Sequence, residues 1–271
     1  MSDWKEIPYT ANRYLIYDLL QRARRFHCPV TGNMEVDVTD TIARIDAEHA
    51  AGRDAGIIAY LARATALTIR RHPKLQRHIF TTWYGRPREV QFDRIHCTLI
   101  VARENSSGEE ILLPLNLQDT DKMSIEDIHR AIREHKQKPV QSLEQLKAIE
   151  KVKQTPRIGL SWFSYKARSD PDFYLKYFGT YGLSSLLQRE GPVNAISAVA
   201  NTAVAFLPTS LRERPWVVKG QIVPRTILNI AVVVDHYLID GGESLKIAHT
   251  LKGLLEDSTE ILGPAGTAAH G

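Results

Sequence analysis

Residues 227–242 read Ile-Leu-Asn-Ile-Ala-Val-Val-Val-Asp-His-Tyr-Leu-Ile-Asp-Gly-Gly. The first eight are apolar almost throughout, which is typical of a central strand covered on both faces. His236 follows at the point where such a strand leaves the sheet, with Asp240 and two glycines close behind. A positioned imidazole can take a proton from a thiol, whose ordinary pKa is about 8.5. Taken alone, the pattern fits either a structural histidine or a general base.

Other segments of the chain alternate irregularly between helix and strand patterns. Apolar residues at helical spacing, capping residues and β-branched runs mark the elements. This mixture predicts an α/β domain, of the α+β two-layer sandwich kind, with a large mixed sheet and flanking helices. The predicted helices cover about residues 12–26, 39–50, 57–72, 124–138, 142–154 and 245–255, and the predicted strands cover residues 30–38, 79–84, 95–102, 110–117, 180–186, 195–199 and 227–234.

The composition is ordinary for a folded globular protein and excludes several classes. Of the 271 residues, 43% are hydrophobic and 24% charged, and the formal net charge of +4 is spread along the chain. Scattered basic residues do not predict nucleic-acid binding. We also expect no signal peptide and no membrane span. Cys28 and Cys97 predict reduced thiols in a cytoplasmic protein, and no residues stand at the spacing of a zinc site.

The motif around His236 resembles a known family. Asp235, His236, Asp240 and Gly241 match the Asp-His-Arg-x-x-Asp-Gly pattern of the catalytic domain of 2-oxo acid dehydrogenase dihydrolipoyl acyltransferases. Chloramphenicol acetyltransferase has the same fold. Tyr237 stands where the family usually has arginine.

Four further segments resemble this family in the same order along the chain. Residues 179–186, Gly-Thr-Tyr-Gly-Leu-Ser-Ser-Leu, are similar to its Gly-Thr-Phe-Thr-Ile-Ser-Asn-Leu segment. The others are residues 35–39, 64–75 and 112–124. The resemblance covers about residues 12–256 and implies a chloramphenicol acetyltransferase-like fold. We expect one catalytic domain over residues 1–271, with a flexible tail at 257–271.

The resemblance assigns roles to individual residues. It implies that His236 is the general base and that the hydroxyl of Ser184 stabilises the tetrahedral oxyanion. Losing one such donor typically costs about 10²–10³ in rate. Asp240 would hold the loop through an arginine, for which Arg13 is the candidate. Gly241 would permit a backbone conformation or close approach that a Cβ would block.

The family's chemistry implies acyl transfer between coenzyme A and a thiol such as dihydrolipoamide. Members of full length carry lipoyl domains, and this sequence has no segment that resembles one. We therefore expect no covalent lipoyl group on this chain, and a lipoyl-bearing protein becomes a possible separate partner. The resemblance also implies a homotrimer whose active sites lie between subunits.

Two alternatives stay open at this point. One is a non-catalytic structural core or scaffold related to 2-oxo acid dehydrogenase complexes, favoured by the missing lipoyl module and by Tyr237 in place of arginine. The other is a half-condensation domain, against which stand the length of the chain and Asp235 in place of that family's first histidine.

Overall fold

The computed structural model describes residues 5–6, 17, 20–21, 23–53, 55–82, 84–104, 110–143, 162 and 165–263. Its strands are β1 (Pro29–Asp37), β2 (Arg77–Thr81), β3 (Pro87–Gln91), β4 (Cys97–Glu104), β5 (Glu110–Leu117), β6 (Tyr181–Ser184), β7 (Gln188–Arg189), β8 (Val204–Val218) and β9 (Gln221–Asp235). Its α-helices are α1 (Thr39–Ala50), α2 (Ile57–Arg71), α3 (Ile125–Gln137), α4 (Pro171–Phe178), α5 (Gly241–Glu256) and α6 (Thr259–Leu262). Short 3₁₀ turns cover Pro73–Gln76 and Val140–Ser142.

A mixed seven-stranded sheet organises the fold. Its order is β1-β9-β8-β6-β4-β5, with β7 beside β8, while β2 and β3 form a separate pair. Strands β4, β6 and β8 run parallel to one another, and β7 runs parallel to β8. The other pairs of the large sheet, β1 with β9, β8 with β9 and β4 with β5, are antiparallel. The predicted mixed α/β architecture is therefore confirmed.

The hairpin of β8 and β9 is the longest feature of the sheet. Its two 15-residue strands are joined at Lys219 and Gly220. Both of these residues have positive φ, 51° and 81°. Positive φ at both central residues is the geometry that matches the twist of paired strands. Residues 227–235 of β9 are all buried, as the apolar run predicted.

Three helices cover the sheet and build the main core. Tyr60 and Leu61 of α2 are fully buried, and so are Ile247 and Leu251 of α5. The C-terminal end of α5 is held by two side chains. Tyr60 donates its hydroxyl to the carbonyl of Leu254 at 2.5 Å, and Thr41 donates to that of Leu255 at 2.8 Å. Carbonyls at a helix end have no partner within the helix, so these bonds satisfy them.

Several elements differ from the sequence prediction. Residues 195–199 form no strand and are mostly exposed, so that prediction was wrong. The sequence analysis also missed β8, which contains Pro208 in its buried half and a run of three charged residues followed by Pro215 in its outer half. The predicted buried face of the last helix was wrong at Leu245, which is 65% exposed. The buried face instead runs through Ile247, Leu251, Leu254 and Leu255, at the three- and four-residue spacing of a helix.

Other expectations are confirmed or lie outside the described residues. Ser124 caps α3 by accepting a hydrogen bond from the Asp127 amide at 3.1 Å, and β4 pairs with β5 as expected. The helix predicted at 142–154 and most of that at 12–26 fall outside the described residues. Within the predicted tail, Ile261 and Leu262 of α6 pack against the core, and residues 264–271 are not described.

Of the described helices, none has both the length and the apolar character needed to cross a membrane.

The packing of α5 gives a test of the core. Leu251→Ala removes a fully buried side chain and should lower the free energy of unfolding by about 2–5 kcal/mol. Leu245→Ala, the same change on the exposed side of the same helix, should change it by less than about 0.5 kcal/mol. Urea denaturation measures both, and equal losses would contradict this packing.

Candidate active site

The carboxylate of Asp235 fixes the geometry at the end of β9. Asp235 is buried, and it accepts hydrogen bonds from His27 Nδ1 at 2.7 Å, from the Cys28 amide at 3.0 Å and from the Tyr237 amide at 3.1 Å. Burial alone would raise its pKa, but the bonds from these three groups outweigh burial, and the pKa is lowered. Asp235 is therefore ionised at neutral pH and ties β1, β9 and the following turn together.

His236 lies in that turn, with its ring exposed. Its amide donates to the carbonyl of Cys28 at 2.8 Å, and its Nδ1 lies 2.9 Å from the carbonyl oxygen of Ile239. A carbonyl only accepts hydrogen bonds, so this contact places the proton on Nδ1 and the lone pair on Nε2. No side chain in the described part of the chain binds Nε2. This is the arrangement that a general base needs.

Asp240 and Gly241 follow at the start of α5. The carbonyl of Asp240 accepts from the amide and the hydroxyl of Ser244, at 2.9 and 3.0 Å. Arg13, the expected partner of Asp240, lies outside the described residues, so this pairing stays a prediction. We expected Gly241 to have a backbone conformation or a close approach that a Cβ would block, and neither is seen within one chain. A Cβ built there meets no atom within 4 Å, and its φ is not in the left-handed range.

Ser184 is placed by the glycine that precedes β6. Gly179 has a φ of +67°, and a Cβ there would lie 2.7 Å from Thr98 Oγ1, so only glycine lets the chain pass this close to β4. Ser184 ends β6, and its hydroxyl accepts from the Leu186 amide at 3.2 Å. The next residue, Ser185, is engaged differently, since it donates to the carbonyl of Ile100 at 2.8 Å.

Ser184 and His236 lie far apart within one chain. Strand β8 separates β6 from β9. The residue before Ser184 pairs with Phe206, which pairs in turn with Val232. Ser184 therefore lies two strands across and about five residues along from His236, a separation of roughly 15–20 Å. One chain does not bring the two predicted catalytic side chains together.

A cavity of about 500 Å³ is lined in part by His27 and Tyr237, which both bond to the Asp235 carboxylate. His27, His78, Tyr174 and Tyr237 belong to its lining. Burial and the nearby His27 lower the pKa of His78 to about 3, so the ring is neutral, and its Nδ1 has no hydrogen-bond partner among the residues that the structure describes. The sequence analysis missed His27 and His78. Because 157 or more positions separate each of them from Asp235, no local spacing could have revealed the group.

Within the described ranges, no group of three or more His, Cys, Asp or Glu side chains could hold a metal ion. Both cysteines are free, and burial raises the pKa of the Cys97 thiol to about 12.

Comparison with known families points to one group of enzymes. Residues 195–263, which include β8, β9 and the His236 turn, match the family model of the 2-oxoacid dehydrogenases acyltransferase (catalytic domain). Over these residues the chain is similar to the catalytic domain of the 2-oxoacid dehydrogenase acyltransferases. The resemblance that the sequence motifs suggested is confirmed.

Curated relatives of these acyltransferases match over a short stretch. The chain is 45% identical over 53 residues to the dihydrolipoyllysine-residue succinyltransferase component of the 2-oxoglutarate dehydrogenase complex of Haemophilus influenzae. It is 36% identical over 53 residues to a probable mitochondrial counterpart from Schizosaccharomyces pombe. These matches cover 20% of this chain and 13% and 12% of the two relatives.

Solved acyltransferase structures share the whole fold. A probable dihydrolipoamide acetyltransferase from Listeria monocytogenes superimposes with a TM-score of 0.67 at 19% identity, covering 98% of each chain. The dihydrolipoamide acetyltransferase of Azotobacter vinelandii gives 0.67 at 18% identity, covering 96% of this chain and 94% of that one. At such identities the likeness establishes the fold alone.

The neutral, buried His78 gives a pH test. Its pKa is lowered in the folded state, so between pH 6.5 and about 3 the unfolded chain binds a proton that the folded chain does not. Stability therefore falls as the pH falls through this window, by up to about 1.4 kcal/mol per pH unit. His78→Phe should make the decline between pH 6.5 and 4.5 shallower in urea titrations.

His49→Gln is the matched control, because His49 is exposed on α1. It should keep the wild-type slope. If His78→Phe also kept that slope, His78 would not be a buried neutral imidazole.

Proposed function

We propose that the chain is an acyltransferase that moves an acyl group between coenzyme A and a thiol such as dihydrolipoamide, with His236 as general base. The observation that carries the proposal is the bond from His236 Nδ1 to the carbonyl of Ile239, 2.9 Å long, which leaves Nε2 as the basic atom. The family match over residues 195–263 spans this turn. The curated relatives are named as succinyltransferases, which supports acyl transfer as the reaction class.

The proposed reaction needs one proton carrier. His236 Nε2 takes the proton from the acceptor thiol, and the thiolate attacks the carbonyl carbon of the acyl-coenzyme A thioester. A new C–S bond forms and the carbonyl electrons move onto oxygen. When the tetrahedral intermediate collapses, the bond to the coenzyme A sulfur breaks and that sulfur takes the proton from Nε2. The histidine returns to its starting state, so no metal or redox step enters the scheme.

The distances along the sequence between Ser184, His236 and Asp240 support Ser184 as the oxyanion donor and Asp240 as a site residue. Work on the Azotobacter vinelandii acetyltransferase concerns the role of a serine, a histidine and an asparagine in its catalytic mechanism. In that protein the serine precedes the histidine by 52 positions, and the asparagine follows it by four. Ser184 and Asp240 stand at the same distances from His236.

The separation of Ser184 from His236 supports a site shared between subunits. In our proposal the histidine of one subunit meets the serine of its neighbour in a homotrimer. A closed ring repeats the same contact at each boundary and gives three identical sites. One of the similar solved structures is the cubic core of a pyruvate dehydrogenase multienzyme complex, so a larger core is a further arrangement to test.

The remaining parts of the proposal concern partners and surroundings. The acceptor lipoyl group would be carried by a separate protein. A cytoplasmic location, inferred from the reduced cysteines, stays a prediction. The single domain over residues 1–271 stays a prediction as well. The scaffold alternative rests on Tyr237, whose exposed ring replaces the family's arginine.

Removing the base should slow turnover strongly. His236→Ala should lower kcat by about 10²–10⁴ with little change in stability, because the ring is exposed and serves as the proton carrier. Transfer from acyl-coenzyme A to dihydrolipoamide is followed through the released coenzyme A thiol. His249→Ala is the matched control, since its Nδ1 also binds a backbone carbonyl, that of Leu245 at 2.8 Å.

Wild-type turnover in His236→Ala would show that this histidine is not the base. If the folded wild-type protein neither turned over nor bound coenzyme A in calorimetric titration, the scaffold would be the better account.

Mixing two inactive variants tests the shared site. His236→Ala and Ser184→Ala subunits are each expected to form weakly active or inactive trimers. After subunit exchange, some boundaries pair an intact histidine with an intact serine, so part of the activity should return. Exchange verified by mass spectrometry without recovered activity would contradict a site shared between chains.

A further inference from the structure

The cavity that His27 and Tyr237 line in part has the size of a small-molecule site. Its volume of about 500 Å³ lies within the range of ligand pockets, about 300–1,000 Å³. His236 and Ser184 are not among its described lining residues. The acyl-transfer scheme above therefore makes no use of this cavity.

The imidazole of His27 lies between the Asp235 carboxylate and the cavity. Its Nδ1 is 2.7 Å from that carboxylate, and His27 lines the cavity while Asp235 does not. Nε2, on the opposite edge of the ring, makes no hydrogen bond to any residue that the structure describes. Because the ionised carboxylate only accepts, the neutral ring has its proton on Nδ1 and an acceptor lone pair on Nε2.

This acceptor is buried and has a second unsatisfied ring beside it. The side chain of His27 is only 9% exposed, and buried polar atoms are almost always hydrogen-bonded. The ring centre of His78 is 5.2 Å away, and its Nδ1 also has no partner in the described part of the chain. The polar end of the cavity thus has hydrogen-bonding capacity that the described residues do not use.

The remaining wall favours an apolar, uncharged molecule. Ile79 and Ala167 line the cavity and keep part of their surface accessible. The guanidinium groups of Arg25 and Arg168 already lie over the ring of Phe26, with their central carbons 5.5 and 4.8 Å from its centre. A cation would find no acidic side chain among the described lining residues, and an anion at His27 would meet a lone pair.

We propose that this cavity binds a neutral, mainly apolar alcohol or phenol whose hydroxyl donates a hydrogen bond to Nε2 of His27. The apolar body of the molecule lies against the wall that includes Ile79 and Ala167. Asp235 keeps the ring of His27 in the tautomer that accepts this bond. The proposal does not depend on the acyl-transfer scheme.

Binding of simple probes tests this site without turnover or coenzyme A. 2-Naphthol is titrated into the purified full chain by calorimetry at about pH 8.5, above the ordinary pKa of an imidazole. It should saturate one site per chain. Naphthalene lacks the hydroxyl and 2-methoxynaphthalene lacks its proton, so each should bind about tenfold more weakly. 2-Naphthoate, which brings a charge and no donor, should also bind at least about tenfold more weakly.

A change at His27 tests the hydrogen bond itself. In His27→Asn the side-chain amide replaces Nδ1 as the donor to Asp235, and Nε2 is lost. Binding of 2-naphthol should weaken about tenfold while that of naphthalene stays the same, so the preference for the hydroxyl disappears. His49→Asn is the matched control, because His49 is exposed on α1 and does not line the cavity. It should keep the preference.

Filling the cavity locates the site without touching His27 or Asp235. Ala167→Phe places a ring on the cavity wall and should weaken the binding of 2-naphthol and naphthalene alike, by about tenfold or more. Ala50→Phe, the same change on the exposed end of α1, should leave both unchanged. Urea denaturation confirms that each variant is folded.

Three results would overturn the proposal: no saturable binding of 2-naphthol, equal binding of 2-naphthol and naphthalene, or an undiminished preference in His27→Asn. Full binding in folded Ala167→Phe would also overturn it, because the probe would then lie elsewhere. Failure here with intact acyl transfer would remove the cavity site alone. Loss of acyl transfer with 2-naphthol binding intact would remove the catalytic scheme alone.

Discussion

The position of the His236 turn depends on one buried carboxylate. Asp235 accepts hydrogen bonds from the side chain of His27 and from the amides of Cys28 and Tyr237. A buried charge costs much free energy unless it is fully bonded, so the surrounding chain must keep these donors in place. This requirement aligns the start of β1 with the end of β9 and sets the path on which His236 lies. The same carboxylate orients the imidazole of His27 on the cavity wall.

The fold could be predicted wherever the sequence carries a simple pattern. The apolar run at 227–234 became the buried half of β9, and the cap at Ser124 begins α3 as expected. Strand β8 could not be recognised, because its outer half is partly exposed and mixes arginine and glutamate with proline. Its pairing with β9 overrides this weak local preference. The apolar residues at 195–199 form no strand, which shows that composition without a pairing partner does not suffice.

The site was predictable only in its local part. The spacing of His236, Asp240 and Gly241 indicated a turn at a strand end, and the structure places the turn there. The distance between Ser184 and His236 depends on strand order, which no sequence pattern revealed. The same holds for His27 and His78, which the fold brings near Asp235 from distant positions. Burial and hydrogen bonding link these residues across the fold. Local sequence patterns cannot predict contacts between such distant positions.

The central claim is that this fold transfers acyl groups between coenzyme A and a thiol. The most direct measurement incubates the purified chain with succinyl- or acetyl-coenzyme A and dihydrolipoamide, and follows S-acyl dihydrolipoamide by mass spectrometry. The account predicts product in many-fold excess over enzyme, formed only when both substrates are present. Product at the uncatalysed rate with a folded, trimeric sample, for both acyl groups, would contradict it.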